Sequence, residues 1–76
     1  MKYRKGDKVI IHPNIKNMHN YVPSLLSSMV TLAGEKAIVN GYYVGDLYEA
    51  YTLEGHTCHW VEKWLLSDKP RKRIML

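Results

Sequence analysis

The sequence lacks the disulfide bonds that stabilise many small proteins. Among its 76 residues there is one cysteine, Cys58, and there is no phenylalanine. A single cysteine excludes a disulfide within the chain, which favours a reducing compartment. No apolar run approaches the roughly 18 residues that a membrane span needs. We therefore expect a cytoplasmic protein without membrane association.

Tyrosine and tryptophan are what the sequence has instead, with six and two copies respectively. A chain this short buries only about 60% of its unfolded surface, so its core is thin. Each packed Tyr or Trp buries roughly 150–250 Å². We expect these rings, rather than metals or sulfur cross-links, to build the core.

The positive charge is concentrated at one end of the chain. The formal net charge is +4, yet residues 1–68 hold seven Lys or Arg and seven Asp or Glu. The whole excess comes from four residues: Lys69, Arg71, Lys72 and Arg73. We predict one domain over residues 1–68 and a basic, flexible tail over 69–76.

Short alternating segments bounded by glycine turns predict a mainly β protein of about five strands. Val9 and Ile11 share one face of the first segment. The segments are Lys8–His12, Lys36–Tyr43, Tyr48–Leu53 and His56–Val61, followed by a closing turn at Glu62–Leu66.

The pair Asn40-Gly41 has two interpretations. Asn-Gly is the strongest short signal for a β-hairpin, so the chain could turn there. Alternatively, Gly41 is a bulge in a longer strand that turns at Gly45-Asp46. We favour the bulge, because a small barrel closes only if a long strand bends.

One short helical turn is predicted near residues 23–29. Pro23 is acceptable at the first helical position. Leu25, Leu26 and Met29 then have the spacing that covers a core. The segment is too short to be stable alone, so we expect it to pack as a lid, after a mobile loop over 14–21.

Taken in order, these pieces resemble a known family. They are Gly6-Asp7-x-Val9, Leu32-x-Gly34-x-x-Ala37 with Ile38 and Val39, Tyr51-x-Leu53-x-Gly55, Trp60, and Trp64-Leu65. The order is similar to small phage and Gram-positive bacterial SH3-like barrel proteins that are related to the SH3-type repeat of the mind bomb ubiquitin ligases. The resemblance implies a small SH3-like barrel that binds other proteins. In a phage, the bound protein would be a host enzyme or a defence complex that the module blocks.

The histidines and the cysteine suggest a metal or a nucleophile, and we expect neither. Zinc accepts Cys and His ligands. On a strand, however, His56 and Cys58 share a face while His59 points away, which leaves two local ligands at most. A lone cysteine in a strand is most often a small apolar residue. We expect no enzyme activity and no cofactor.

Exposed aromatic residues are the first candidate site. SH3-type barrels bind peptides on surfaces lined by aromatic side chains. Six tyrosines exceed what a barrel of this size can bury. We therefore predict a protein-binding groove formed by Tyr42, Tyr43, Tyr48 and Trp64.

The basic tail supports an alternative function. Its four cations, Lys69, Arg71, Lys72 and Arg73, could neutralise phosphates in a nucleic acid without reading sequence. No aromatic residues alternate with them for base stacking. A homodimer is a further expectation, because Ile10, Ile38 and the 74–76 end are apolar and unaccounted for.

Overall fold

A computed structural model describes residues 2–68 of the chain; the basic tail, and the predictions that concern it, lie outside the described residues. The described part is mainly β, as predicted. Its strands are β1 (Lys8–Ile11), β2 (Lys36–Val44), β3 (Glu49–Leu53), β4 (His59–Trp60) and β5 (Leu65–Ser67). All pair antiparallel in one sheet of order β4-β3-β2-β1-β5.

Strand β2 is the longest and joins two halves of the sheet. Its first residues pair with β1, where Lys8 lies opposite Ile38. Its later residues pair with β3, and the register shifts between Val39 and Gly41, so that one extra residue stands at Asn40. The structure therefore confirms the bulge and excludes the alternative, a hairpin turn at Asn40-Gly41. The chain turns after Val44 instead. A bulge increases the bend and twist of a strand, which lets one strand serve both halves.

The sheet is open and strongly curved. Strands β4 and β5 lie at its opposite edges, yet only residues 61–64 separate them in sequence. A flat sheet of five strands would hold its edges about 19 Å apart. Five residue steps reach at most about 17 Å when fully extended, and a 3₁₀ turn at Glu62–Trp64 shortens them further. The two edges must therefore approach each other.

The core lies on the concave side of this sheet. Val9 and Ile11 are fully buried, as the alternation in β1 predicts. Three bulky rings, Tyr51, Trp60 and Trp64, are also almost completely buried. The core cluster consists of Tyr3, Val9, Ile11, Ile15, Met29, Val39, Tyr51, Leu53, Trp60, Trp64 and Leu65.

The polar groups of two core rings form hydrogen bonds to chain segments that lie outside the β-strands. The Trp64 indole N–H donates to the Met18 carbonyl at 2.7 Å. The Tyr51 hydroxyl accepts from the backbone N–H groups of Lys2 and Tyr3 at 2.8 and 3.1 Å. Backbone N–H groups near a core need such partners, and here the rings that fill the core supply them.

The loop before the lid is partly structured. We expected a mobile loop over 14–21, but Ile15–Asn17 forms a 3₁₀ turn and Ile15 is fully buried. An isoleucine in a polar stretch gains enough by burial to anchor the turn, since a fully buried Ile contributes about 1.5–3 kcal/mol.

The helical segment exists, but it begins later than predicted. Within residues 2–68 there is one α-helix, α1, which spans Ser27–Val30 and buries Met29. Pro23 therefore precedes the helix instead of standing at its first position. Leu26 is the N-cap residue and stays half exposed. Met29 and the partly buried Leu25 therefore cover the core.

The last predicted hairpin has a shorter second arm than its sequence suggests. We expected a strand over His56–Val61, whereas only His59–Trp60 pair with β3. Gly55 adopts a positive φ of 78° in the turn, as glycine can do without strain. The chain from His56 to Cys58 then runs outside the ladder and borders the lid, because tertiary packing outweighs alternation in a short edge segment.

Candidate functional site

The candidate site lies on the convex side of β2, β3 and β4. Alternation along the strands turns Tyr43, Tyr48 and His59 to this side, opposite the core. We call these three residues the aromatic cluster. The register supports this placement, since Tyr43 lies opposite Ala50 and His59 lies opposite Thr52.

The three rings of the aromatic cluster contact one another. Tyr43 stacks on His59 with centroids 4.5 Å apart and planes inclined by 27°. Tyr43 also meets Tyr48 at 5.3 Å. The Tyr48 hydroxyl and His59 Nδ1 are 2.6 Å apart, and the histidine tautomer determines which of them donates. The cluster is therefore ordered before any partner arrives.

Ala50 and Gly45 explain why the cluster can form. Ala50 is 1% exposed although it faces away from the core cluster, and Tyr43 lies opposite it in the ladder. Gly45 lies under the Tyr43 ring, where a Cβ would come within 2.7 Å of two ring carbons. Small residues at both positions let the rings settle close to the backbone.

Two apolar side chains are exposed at the end of the β2–β3 hairpin: Leu47 directly precedes Tyr48 of the cluster, and Val44 lies opposite Glu49, on the other face of β2 from Tyr43. Gly45 and Tyr48 share a backbone hydrogen bond of 3.0 Å, which leaves Asp46 and Leu47 as the loop. Leu47 is 81% exposed and Val44 is 68% exposed. We call Val44 and Leu47 the hairpin end. Folding of the described residues leaves most of their apolar surface in water.

A groove of about 250 Å³ borders the cluster at Tyr48 and His59. The segment before α1 also lines this groove. Its lining is completed by Pro23, Ser24, Leu26, Met29, Thr57 and Cys58. The cluster therefore has the exposed Leu47 next to Tyr48 in sequence and a groove at Tyr48 and His59.

The predicted groove of four aromatic residues divides into three environments. Tyr43 and Tyr48 come together as expected. Trp64 does not line an exposed groove, because it is fully buried in the core. Tyr42 follows the core face of β2, where its ring meets Tyr51 edge-on at 4.8 Å. Neighbouring residues of one strand point to opposite faces, so Tyr42 and Tyr43 cannot share a groove.

Tyr42 has a distinct electrostatic environment. Its hydroxyl donates to Glu49 Oε1 at 2.5 Å. This hydrogen bond to the carboxylate is the main reason that the pKa of Tyr42 is raised to about 12, since it is lost when the phenol ionises.

His59 is the site residue that sequence reasoning missed. We considered it only as a zinc ligand. The signal was its register: His59 lies opposite Thr52, which points to the same side as Tyr48, the residue just before β3. Pairing across the turn at Gly55 would have placed His59 on the same face of the sheet as Tyr48.

The four histidines and Cys58 are dispersed. His12 Nδ1 accepts from the Asn14 N–H at 3.0 Å, and His56 meets the Trp60 ring edge-on. The Cys58 thiol is free, half-buried and packed against the core. Within residues 2–68 no three His, Cys, Asp or Glu side chains lie close enough together to hold a metal ion.

Comparisons with known proteins add no relative to this description. No protein-family model, curated protein or solved structure matches the chain. Among the described residues no helix is long and apolar enough to cross a membrane.

Proposed function

We propose that the chain is a non-catalytic protein-binding module, and that the aromatic cluster with the hairpin end forms its binding surface. The observation that carries this proposal is the exposure of Leu47, directly before Tyr48, next to an ordered group of rings, with Val44 exposed on the other face of the same hairpin. Such a surface combines unused apolar area with preorganised aromatics. Both are typical of the centres of protein interfaces.

The energetic argument concerns surface that folding leaves exposed. Complete burial of a leucine or valine side chain contributes about 1.5–3 kcal/mol. Leu47 and Val44 gain little of this in the isolated chain. A partner that covers them removes their apolar surface from water, and the stacked rings lose little side-chain entropy because contacts already hold them.

The barrel that we propose is SH3-like. Three features support a closed arrangement: the bulge in β2, the pairing of β5 with β1, and the four-residue link between the edge strands. The resemblance to phage and Gram-positive SH3-like proteins extends the proposal to mode of action. A module of this kind inhibits a host or defence protein by occupying its surface.

Affinity capture from the native host extract tests the proposal with a matched pair of variants. Leu47→Asp places a charge at the hairpin end, while Leu66→Asp makes the same change on β5, where Leu66 is 42% exposed. We expect a protein partner that resists high salt and is retained by wild type and Leu66→Asp, but lost by Leu47→Asp. Equal capture by all three contradicts the surface.

The alternative function is sequence-nonspecific binding of nucleic acid by the basic tail. It is favoured by the charge distribution, since residues 2–68 are balanced and the excess lies on Lys69, Arg71, Lys72 and Arg73. In that case capture would depend on nucleic acid and would decrease steeply with salt. Nuclease treatment and deletion of residues 69–76 would then abolish it, while Leu47→Asp would leave it unchanged.

A further inference from the structure

One edge of β2 lacks a neighbouring strand over part of its length. The first half of β2 pairs with β1, and this pairing ends where the Gly6 N–H donates to the Val39 carbonyl at 2.8 Å. The chain before Gly6 turns toward the concave side, because the Lys2 and Tyr3 N–H groups both donate to the Tyr51 hydroxyl. Beyond Val39, β2 therefore has β3 on one edge and, within residues 2–68, no strand on the other.

The hydrogen bonds of the β2–β3 hairpin show which groups point to this unpaired side. In an antiparallel pair, residues that bond across the ladder alternate with residues whose N–H and C=O groups point away. The Gly45 N–H donates to the Tyr48 carbonyl, so Tyr43, two residues earlier, also bonds to β3. Tyr42 and Val44 alternate with these residues and direct their N–H and C=O groups outward. We call this outer side of Tyr42 and Val44 the free edge.

The free edge has none of the side chains that usually keep strands apart. Proteins commonly protect such edges with lysine, proline or other charged residues. Residues 40–44 read Asn-Gly-Tyr-Tyr-Val and contain none of these. The Tyr43 ring leans over Gly45 and stacks on His59, away from the edge. Within the described residues the free edge is therefore open to another strand.

We propose that the free edge pairs with the free edge of a second copy of this chain, antiparallel about a two-fold axis at Tyr43. Tyr42 of each copy then lies opposite Val44 of the other, and the two residues exchange N–H···O=C hydrogen bonds. Each of the two pairs contributes two bonds, which gives four in all. The edge is complementary to itself because its free residues lie symmetrically about Tyr43, as an isologous interface requires.

The side chains of the free edge fit the same register. Val44 is 68% exposed, and it lies on the same side of β2 as Tyr42. In the dimer each Val44 stands directly opposite the second copy's Tyr42, with Cβ atoms about 5 Å apart. Aromatic and β-branched side chains stabilise such cross-strand pairs. The second copy thus covers a valine that the isolated chain leaves in water.

Charges at the two ends of the free edge favour a second copy over an unrelated strand. Asp46 is exposed in the hairpin loop, and Arg4 and Lys5 are exposed in the turn before Gly6. Antiparallel pairing brings the hairpin loop next to Gly6 of the second copy, because Gly6 ends the pairing of β1 with β2 in each copy. The acidic loop of one copy therefore meets the basic turn of the other, and the symmetry makes this contact twice.

The dimer forms one sheet from the β2, β3 and β4 strands of both copies. Residues at equivalent positions point to the same side of that sheet, so both aromatic clusters lie on one surface. The pairing itself does not depend on the function proposed for those clusters. So short an edge provides much less than the roughly 800 Å² per partner of a stable complex, and we expect a reversible dimer with a Kd of about 10 μM to 1 mM.

A proline substitution tests the pairing in the full chain by sedimentation equilibrium. Val44→Pro removes an N–H that points to the free edge and leaves the hydrogen bonds between β2 and β3 in place. We expect the dimer Kd to rise by about tenfold or more, because two of the four bonds across the axis are lost. Val44→Thr keeps the N–H and nearly the same shape, and its Kd is expected within about threefold of the wild-type value.

Cysteine cross-linking tests the register independently. In a Cys58→Ser background, Tyr43→Cys places two thiols opposite each other at the axis, where Cα atoms of a non-hydrogen-bonded pair are about 4.5 Å apart and a disulfide can form. Tyr42→Cys separates the two Cα atoms by roughly 8 Å, which a disulfide does not span. We expect mild oxidation to link the first variant about tenfold faster than the second.

A charge change and its control test the contact at the ends of the edge. Asp46→Lys sets like charges together and is expected to raise the Kd by about threefold at low salt. Glu54→Lys makes the same change on an exposed residue of the β3–β4 turn and is expected to leave the Kd unchanged. The unfolding midpoint of every variant establishes that the fold persists.

Three outcomes overturn the proposal. The first is a chain that stays monomeric up to about 1 mM. The second is equal cross-linking of the Tyr43→Cys and Tyr42→Cys variants, since the two-fold axis then does not lie at Tyr43. The third is a monomeric chain whose captured protein partner is lost on Val44→Pro, which assigns the free edge to a strand of that partner.

Discussion

The two sides of the β2–β3–β4 half-sheet carry rings of the same kind in different roles. On the concave side Tyr51 and Trp60 are almost completely buried. On the convex side Tyr43 is 39% exposed, although it is adjacent in sequence to a ring that packs on Tyr51. The difference shows that ring content alone does not identify a binding surface. Strand parity and the position of small residues decide which rings stabilise the fold and which remain available.

Removal of a ring from the concave side is expected to have the largest effect on stability. Trp64→Ala deletes a fully buried side chain together with its hydrogen bond to the Met18 carbonyl. We expect the free energy of unfolding to decrease by about 3–5 kcal/mol, measured by urea denaturation. Tyr43→Ala serves as the convex-side control, with an expected loss of about 1 kcal/mol. Similar losses for both would contradict the distinction.

Removal of the hydroxyl group of a core tyrosine is expected to reduce stability less than removal of a whole ring. Tyr51→Phe keeps the ring but removes the acceptor of the Lys2 and Tyr3 N–H groups. We expect the free energy of unfolding to decrease by about 1–3 kcal/mol, because the Tyr3 donor is buried. Hydrogen exchange should show faster exchange of the Tyr3 amide. Unchanged protection there would mean that the hydroxyl does not hold the N-terminal segment.

On the convex side, the expected effect is on binding rather than stability. Tyr43→Ala removes the stacked ring, and Gly45→Ala keeps it but pushes it from its position over the backbone. Once a partner is captured, we expect each change to weaken binding by about 1–2 kcal/mol, measured by titration calorimetry. Loss with Tyr43→Ala but not Gly45→Ala would indicate that ring position is unimportant.

The smallest effect concerns Tyr42, the concave-side neighbour of Tyr43. Its pKa of about 12 in the folded chain exceeds the usual 10, so the folded state holds the phenol proton more tightly than the unfolded state. This contribution to stability is fully present below pH 10 and is lost as the pH rises toward 12. We expect Glu49→Gln to lower the pKa of Tyr42. The pKa is measured by an NMR titration that follows the Tyr42 ring resonances. An unchanged value would contradict the role of the carboxylate.

The elements that sequence reasoning recovered depend on short-range patterns. The alternation of Val9 and Ile11 identifies β1 and its buried face, and Gly55 marks a turn that needs a positive φ. The bulge near Asn40 followed from the length of strand that closure requires. The lid was predicted too early because Pro23 suits a helix start, whereas the position of α1 depends on where Met29 meets the core.

The candidate site was recovered only in part, because it depends on register across strands. Tyr43 and Tyr48 were predicted together, but their contact with His59 follows from how β4 aligns with β3. Trp64 was misplaced because a residue within a 3₁₀ turn has no strand alternation to predict its direction. Its indole N–H finds the Met18 carbonyl, which is 46 residues away in sequence.

The sequence alone determined a mainly β chain with its turns, its bent long strand and a ring-rich core, since those features rest on periodicity and on the backbone preferences of neighbouring residues. The tertiary structure alone decided which rings are buried, which residues meet across strands, and that the apolar side chains of the hairpin end remain in water. The physical reason is that burial is a property of contacts between distant segments. Identical side chains at adjacent positions, such as Tyr42 and Tyr43, differ only in the side of the sheet to which the backbone turns them.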